Sequence, residues 1–287
     1  MLEKQYNSSE FVCPKCHKAL AKIDGALICA DNHCYDIARE GYVNLLLPNK
    51  KNSLAPGDNK TMVVARKNFL DKDFYLPLAT KVAEIVNEFA PQDITLLDSG
   101  CGSGYYLSHI ADARARANDK FVAIDISKEA VKLAAKSFAQ GGRNQCAQAE
   151  FAVASSYDLP LADKSCDCVV SIFSPYALEE FERVLTNDGL LFVVSSAKHH
   201  LWELKKILYG ENIYEKQNNI SYVGWSELRS ATLTFAINMQ SQDDIANLLA
   251  MTPFAYTTSQ AQKQKLAQLN ELETTVDFEI KIFKKTK

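Results

Sequence analysis

The chain has 287 residues, 47% of them hydrophobic, and a formal net charge of −3. That is enough chain and apolar side chain for one large domain with a small companion. The longest apolar runs, 43–47 and 190–194, are far too short to cross a bilayer, and the slightly acidic balance excludes a generic nucleic-acid coat, leaving nucleic-acid contact to local patches.

The first element is a cysteine cluster. Cys13-Pro14-Lys15-Cys16 has the two-residue gap that lets one tight turn aim two thiolates at a single ion, and Cys29 with His33 or Cys34 supplies the second pair. The three-residue gap between Cys29 and His33 favours His33. Cys34 opens the alternating stretch Cys34-Tyr35-Asp36-Ile37 and is expected as a small core hydrophobe, while His17 is expected to turn away from the ion. Buried free cysteine is the ordinary alternative, but four of the eight cysteines fall within 13–34, and Cys101, Cys146, Cys166 and Cys168 are scattered. The polar start Met1-Leu2-Glu3-Lys4-Gln5 carries no secretory pattern, so reduced thiolates in the cytoplasm are expected rather than disulfides.

Residues 48–60 are polar and turn-rich and mark a boundary, giving an expected division into 1–47, a linker and helix over 48–73, and a large domain over 74–287. Helices are expected over 62–70 and 75–89, the second with Leu78, Val82, Ile85, Val86 and Phe89 on one face and Pro91 as its stop. Strands then alternate with helices. Strands are expected at 94–98, 121–125, 149–154, 168–173 and 189–195, the last after an Asn187-Asp188-Gly189 turn, and helices at 105–113, 128–138, 177–185 and 201–208. Strand character returns near 233–239. A final strand over 276–283 has period two and is expected to pair antiparallel with one face solvated. This pattern predicts an α/β fold with a doubly wound, Rossmann-like sheet.

At the end of the first of these strands, Asp98 precedes Gly100, Gly102 and Gly104, whose missing Cβ atoms let backbone amides approach a ligand. Tyr105 breaks the G-x-G-x-x-G spacing of a nicotinamide dinucleotide loop. The G-x-G-x-G spacing after an acidic residue resembles that of S-adenosylmethionine-dependent methyltransferases. Asp125 closes the second strand some 20 residues later, where a carboxylate can accept both ribose hydroxyls, and Ser127 is available to cap the following helix. Ser155 and Ser156, at the end of the third strand, are candidates for the adenine.

Together with the cluster, several stretches resemble the RlmA family of bacterial 23S rRNA guanine-N1 methyltransferases nearly end to end. They are Glu40-Gly41-Tyr42-Val43-Asn44-Leu45-Leu46, Pro56-Gly57-Asp58, Ala65-Arg66 with Phe69-Leu70-Asp71, 98–106, Val153-Ala154-Ser155-Ser156, Leu159-Pro160, His200-Leu201 with Glu203-Leu204, and Met251-Thr252-Pro253-Phe254-Ala255. The resemblance implies a class I S-adenosylmethionine-dependent methyltransferase with a small N-terminal zinc-binding domain. It implies structural zinc on Cys13, Cys16, Cys29 and His33, and cofactor contacts from Tyr75, Gly102, Ser103 and His200. It also implies 23S rRNA as substrate, a homodimer and a cytoplasmic site of action. The chain departs from the family pattern at Ser103, where Glu is usual, and at Ser99, where an aliphatic is usual.

Guanine N1 carries a proton that must leave as the new bond forms, and its edge is buried in base pairs, so the base has to be extruded. Asp158 and the Ser174-Pro175-Tyr176 turn are expected near that proton. Phe173 and Tyr176 are candidates for an aromatic platform, and Lys15, Lys18 and Lys22 for RNA phosphates. Two rival readings are a small-molecule methyltransferase, which needs no zinc module, and a non-catalytic zinc-dependent RNA-binding subunit, disfavoured by the intact Gly100, Gly102, Gly104 and Asp125.

Overall fold

A computed structural model of the chain describes residues 7–50, 57–140, 148–210 and 222–286. Part of the expected linker, Pro56 and Cys146 lie outside these residues.

The N-terminal segment forms a four-stranded antiparallel sheet in chain order: β1 (Asn7–Val12), β2 (Ala19–Ile23), β3 (Ala26–Cys29) and β4 (Cys34–Asp36). Asp24 and Gly25, both at positive φ, turn β2 into β3, the left-handed two-residue loop that suits a twisted hairpin. Cys34 corrects the expectation made for it. It lies on the edge strand β4 with its side chain exposed, because the alternation turns Tyr35 inward instead.

β5 (Tyr42–Asn44) leaves the small sheet and joins the large one. That sheet continues with β6 (Thr95–Ser99), β7 (Lys120–Asp125), β8 (Gln148–Val153), β9 (Cys166–Ile172), β10 (Leu185–Ser196), β11 (Trp225–Met239) and β12 (Leu272–Lys285), in the order β11-β12-β10-β9-β6-β7-β8-β5. The strands from β10 to β5 pair in parallel, whereas β12 runs antiparallel to both β10 and β11. The order reverses between β6 and β9, which opens a crevice at their C-terminal ends.

The helices are α1 (Lys60–Leu70), α2 (Leu76–Phe89), α3 (Tyr105–Arg114), α4 (Lys128–Ala139), α5 (Leu178–Val184), α6 (Trp202–Tyr209), α7 (Gln242–Ala250), α8 (Phe254–Thr257) and α9 (Gln260–Leu266). Asn59 starts α1 by accepting the Met62 N–H at 3.0 Å, and Ser259 with Gln262 forms a capping box on α9. The expected Asn187–Gly189 turn instead lies inside β10, as an irregularity where its register on β9 shifts between Leu185 and Leu190. The expected solvated face of β12 is only partly open: Glu279 and Lys281 are half-buried and Asp277 is buried, while β11 pairs antiparallel along its outer edge.

The two faces of the large sheet are covered differently. Leu78 and Val82 of α2, Leu107 and Ile110 of α3, and Val131 and Ala134 of α4 pack on the side presented by Leu96, Phe121, Ala123 and Val170. On the other side, the crossover from β8 to β9 contains no helix over 154–165. The small sheet fills that place. Phe11, Cys13, Leu20, Leu27 and Cys29 form one buried cluster with Leu97, Val122, Ile124, Ala152 and Ala154. Each large apolar side chain buried here contributes roughly 1.5–3 kcal/mol. The seam is also polar: Val12 N–H donates to Pro160 O at 2.9 Å, Ser9 Oγ donates to Glu150 at 2.6 Å, and Lys120 pairs with Glu10 at 2.6 Å.

Candidate active site and metal centre

Cys13, Cys16, Cys29 and His33 bring one ligand atom each to within 4.8 Å of one another. The contacts are 3.4 Å from Cys13 Sγ to His33 Nδ1, 3.5 Å from Cys29 Sγ to His33 Nδ1, and 3.6 Å from Cys16 Sγ to Cys29 Sγ. Ligands at ordinary zinc bond lengths on a tetrahedron stand about 3.8 Å apart for two sulfurs and about 3.5 Å for sulfur and nitrogen. The donor set therefore fits zinc, with His33 offering Nδ1. Each pair sits on a turn closed by the backbone: His17 N–H returns to Cys13 O at 2.8 Å, and Asn32 N–H, at φ 59°, to Cys29 O at 2.9 Å. Tyr35 supports the first sulfur, with its hydroxyl 3.2 Å from Cys13 Sγ. Burial and the adjacent sulfur push the phenol up, so it remains a donor to the thiolate. The sequence carried no signal of this role, since alternation along 34–37 does not say which face turns inward. His17 is exposed and takes no part, as its position after Cys16 led us to expect.

The glycine loop occupies the crevice where β6 and β9 diverge. Gly100 and Cys101 both donate to Ile124 O at 2.9 Å, pinning the loop to the end of β7. Gly100 lies so close to Ser174 that a Cβ would sit 2.4 Å from the serine Cβ, and Gly104 brings α3 against Ala134 of α4. Gly102 differs: at φ 56° it has nothing within 4 Å of its missing Cβ, so one side of the loop is open. Ser103 is half-buried beside it. Asp125 accepts from Gly102 N–H at 3.0 Å and Ser127 N–H at 2.8 Å. The Ser127 side chain does not cap α4, contrary to expectation; its hydroxyl is spent on Asp58 O at 2.9 Å. Asp98 is buried behind the loop, and burial with the Asp125 carboxylate nearby pushes its carboxyl up to about 7. Ser99 turns its hydroxyl to Ser156 Oγ at 2.8 Å, joining the ends of β6 and β8, and Ser155 Oγ accepts Tyr157 N–H at 3.2 Å.

An aromatic wall stands on the other side of the crevice. Tyr75 is buried at the N-terminus of α2, with ring centroids 5.1 Å from Phe69, 5.2 Å from Phe278 and 6.3 Å from His200. His200 Nδ1 accepts the Asp277 N–H at 3.3 Å, which leaves the hydrogen on Nε2. Burial, with Lys205 nearby, lowers this imidazole to about 3, so it is neutral. Phe173 completes the wall at the end of β9, 5.7 Å from Phe278 and 6.4 Å from both His200 and Tyr106, with 47% of its surface exposed and φ at 52°. Tyr176 does not join it. It packs on the opposite face of the sheet with Tyr222, which stacks on Phe283. Asp158 pairs with Lys50 at 3.4 Å and lines a cleft of about 400 Å³ on the seam with Val12, His17 and Arg183. Ser174 gives its hydroxyl to Ser99 O at 2.6 Å. Phe278 and Tyr106 were not singled out from the sequence, since each reads there as ordinary core.

A glycine loop after an acidic residue, seated at the switch point of a sheet with an antiparallel β12, and a Cys3His ribbon on its face define a class I S-adenosylmethionine-dependent methyltransferase with an N-terminal zinc ribbon. Residues 91–273 match the family described as a methyltransferase domain, and residues 11–54 the one described as RlmA, N-terminal. A Bacillus subtilis (strain 168) protein named "Putative 23S rRNA (guanine-N(1)-)-methyltransferase YxjB" is 30% identical over 98% of this chain and 99% of its own length. The 23S rRNA (guanine(748)-N(1))-methyltransferase of Streptomyces fradiae is 33% identical over 67% of this chain and 65% of its own. The chain belongs to the RlmA family of 23S rRNA (guanine-N1)-methyltransferases.

Proposed function

We propose that the protein transfers a methyl group from S-adenosylmethionine to N1 of a guanine in a hairpin of 23S rRNA. One observation carries the reading: the likeness to the Bacillus subtilis protein runs through ribbon and sheet together, over 98% of this chain. In this reading, residues 1–47 recognise RNA, 48–73 connect, and 74–287 carry out the transfer. The protein acts in the cytoplasm, where the ribbon thiolates stay reduced, and as a homodimer. Among the described residues no helix is long and apolar enough to cross a membrane.

The cofactor, when bound, supplies an electrophilic methyl on a sulfonium centre. The chain's own task is to hold donor and acceptor in line, since orientation provides most of the acceleration. Asp125, oriented by the Gly102 and Ser127 amides, accepts the ribose hydroxyls. The open side of Gly102, with Gly100, Ser103 and Gly104, admits the amino-acid end against Tyr75 and His200, while Asp98 sets the charge behind the loop. Ser155 and Ser156 face the adenine. No general base is assigned, because Asp158 is engaged by Lys50 and the Ser174 hydroxyl by Ser99 O. Mapping reverse-transcriptase stops on 23S rRNA from a deletion strain, with and without the gene restored, tests the substrate. The expected stop disappears on deletion and returns on complementation. Unchanged stops in both strains refute the rRNA assignment.

A further inference from the structure

Two stretches that the sequence set apart without a role, Gly57-Asp58 and Arg66, meet over the cofactor crevice. α1 crosses that crevice, with Phe69 packed edge-on against Tyr75 at 5.1 Å. One turn earlier on the same helix, Arg66 pairs through its guanidinium with Asp58 and donates to Met251 O at 3.1 Å. The Asp58 segment in turn rests on the loop that follows Asp125. Asp58 O accepts Ser127 Oγ at 2.9 Å, and Gly57 is so close that a Cβ would lie 2.7 Å from Ile126 Cγ2. α1 therefore joins the Asp125 end of the crevice to the Tyr75 end, and Arg66 stands between them with a third of its side chain exposed.

We propose that Arg66 is the cationic partner of the cofactor's α-carboxylate, with Asp58 as the residue that positions its guanidinium; this rests on the methyl donor named above. S-adenosylmethionine carries one negative group, the carboxylate, beside a cationic ammonium and sulfonium. Asp98 stands behind the loop on the side of the cationic groups, but a buried carboxylate needs a cation of its own. His200, the basic side chain on the wall, is held neutral by burial. The Arg66 charge favours the ionised forms of Tyr75, Tyr106 and Asp125 alike, so it acts at both ends of the crevice. Among the described residues its two contacts engage one N–H on each terminal nitrogen, which leaves three of its five N–H donors for a second carboxylate.

Calorimetric titration of the full-length, zinc-loaded protein with S-adenosylmethionine and with its decarboxylated analogue, which lacks only the carboxylate, tests this. Arg66→Gln is expected to weaken S-adenosylmethionine binding by about 10–100-fold, the worth of one charge-assisted pair, and to change analogue binding less than about twofold. Arg66→Lys, which keeps the charge without the fork, is expected to fall between and serves if Arg66→Gln does not fold. An equal loss for both ligands makes Arg66 a structural strut and overturns the proposal. No loss for either, with weaker retention of an rRNA fragment, reassigns it to a phosphate and also overturns it. A wild-type protein that binds neither ligand removes the methyl-donor reading itself.

Discussion

At Gly100 a methyl group would lie 2.4 Å from Ser174 Cβ, whereas at Gly102 it would meet nothing within 4 Å. Both residues have positive φ, yet the consequences separate. Gly100→Ala adds a clash to a strained conformation and should cost about 2–4 kcal/mol, seen as a lower thermal midpoint. Gly102→Ala should cost only about 1–2 kcal/mol of stability but weaken cofactor binding roughly tenfold or more, because the methyl projects into the space the ligand needs. Calorimetry on both variants checks the contrast, and equal effects on stability would refute it. Asp98 governs a pH dependence. Its folded value of about 7 stands above the ordinary 3.8, so the unfolded chain gives up this proton first as pH rises. The stabilisation is complete below about pH 4 and declines through pH 7, by on the order of 4 kcal/mol at most. Thermal midpoints of ligand-free wild type, taken relative to Asp98→Asn, should fall between about pH 4 and 7 and level off above. A flat difference across that range would contradict the assignment.

Among the elements, the ribbon carries the most consequence, because its metal ligands Cys13 and Cys29 belong to the same buried cluster as Val122 and Ala152 of the large sheet. Structural zinc contributes about 10–16 kcal/mol to folding small domains. Chelation, or Cys16→Ser, should therefore lower one common unfolding transition and speed amide exchange in β8 and β9 as well as in β1–β4. Two independent transitions, with β8 and β9 unaffected, would show the ribbon to be a detachable module. The sequence made α2 legible through its apolar stripe and Pro91, and the strands β6 to β10 through short apolar runs with turns between them. It did not reveal the first half of β11, where Ser226, Glu227 and Leu228 are all exposed and no alternation marks a strand. The short helices α7 to α9 escaped notice because their signals are local caps such as Ser241 and Ser259 rather than a long stripe. In the site, Asp125 and the glycines were legible from spacing along one βαβ unit. Phe278 was not, because its ring reaches Tyr75 from a strand some 200 residues later, and no local pattern encodes that meeting. Cys34 misled for the same reason: alternation gives two faces without saying which is inward.

At the scale of the whole molecule, the methyltransferase domain and the zinc ribbon are one folded body. The side of the sheet that a crossover helix would cover between β8 and β9 is covered by Phe11, Leu20 and Leu27. A chain beginning at Gly57 should therefore expose this face, bind a hydrophobic dye and fail to take up cofactor. A monodisperse, cofactor-binding fragment would contradict the shared core. The ribbon's exit strand adds a further consequence. β5 is three residues long and hydrogen-bonds to β8 along the sheet margin, and Leu45 N–H extends the pairing to Val153 O at 3.0 Å. A strand so short offers little ladder for another chain to extend, while the β8 edge beneath it would offer a longer one. Losing the metal would thus uncover a margin able to recruit copies of itself, and zinc scarcity would reach this protein first as self-association and only later as lost methylation.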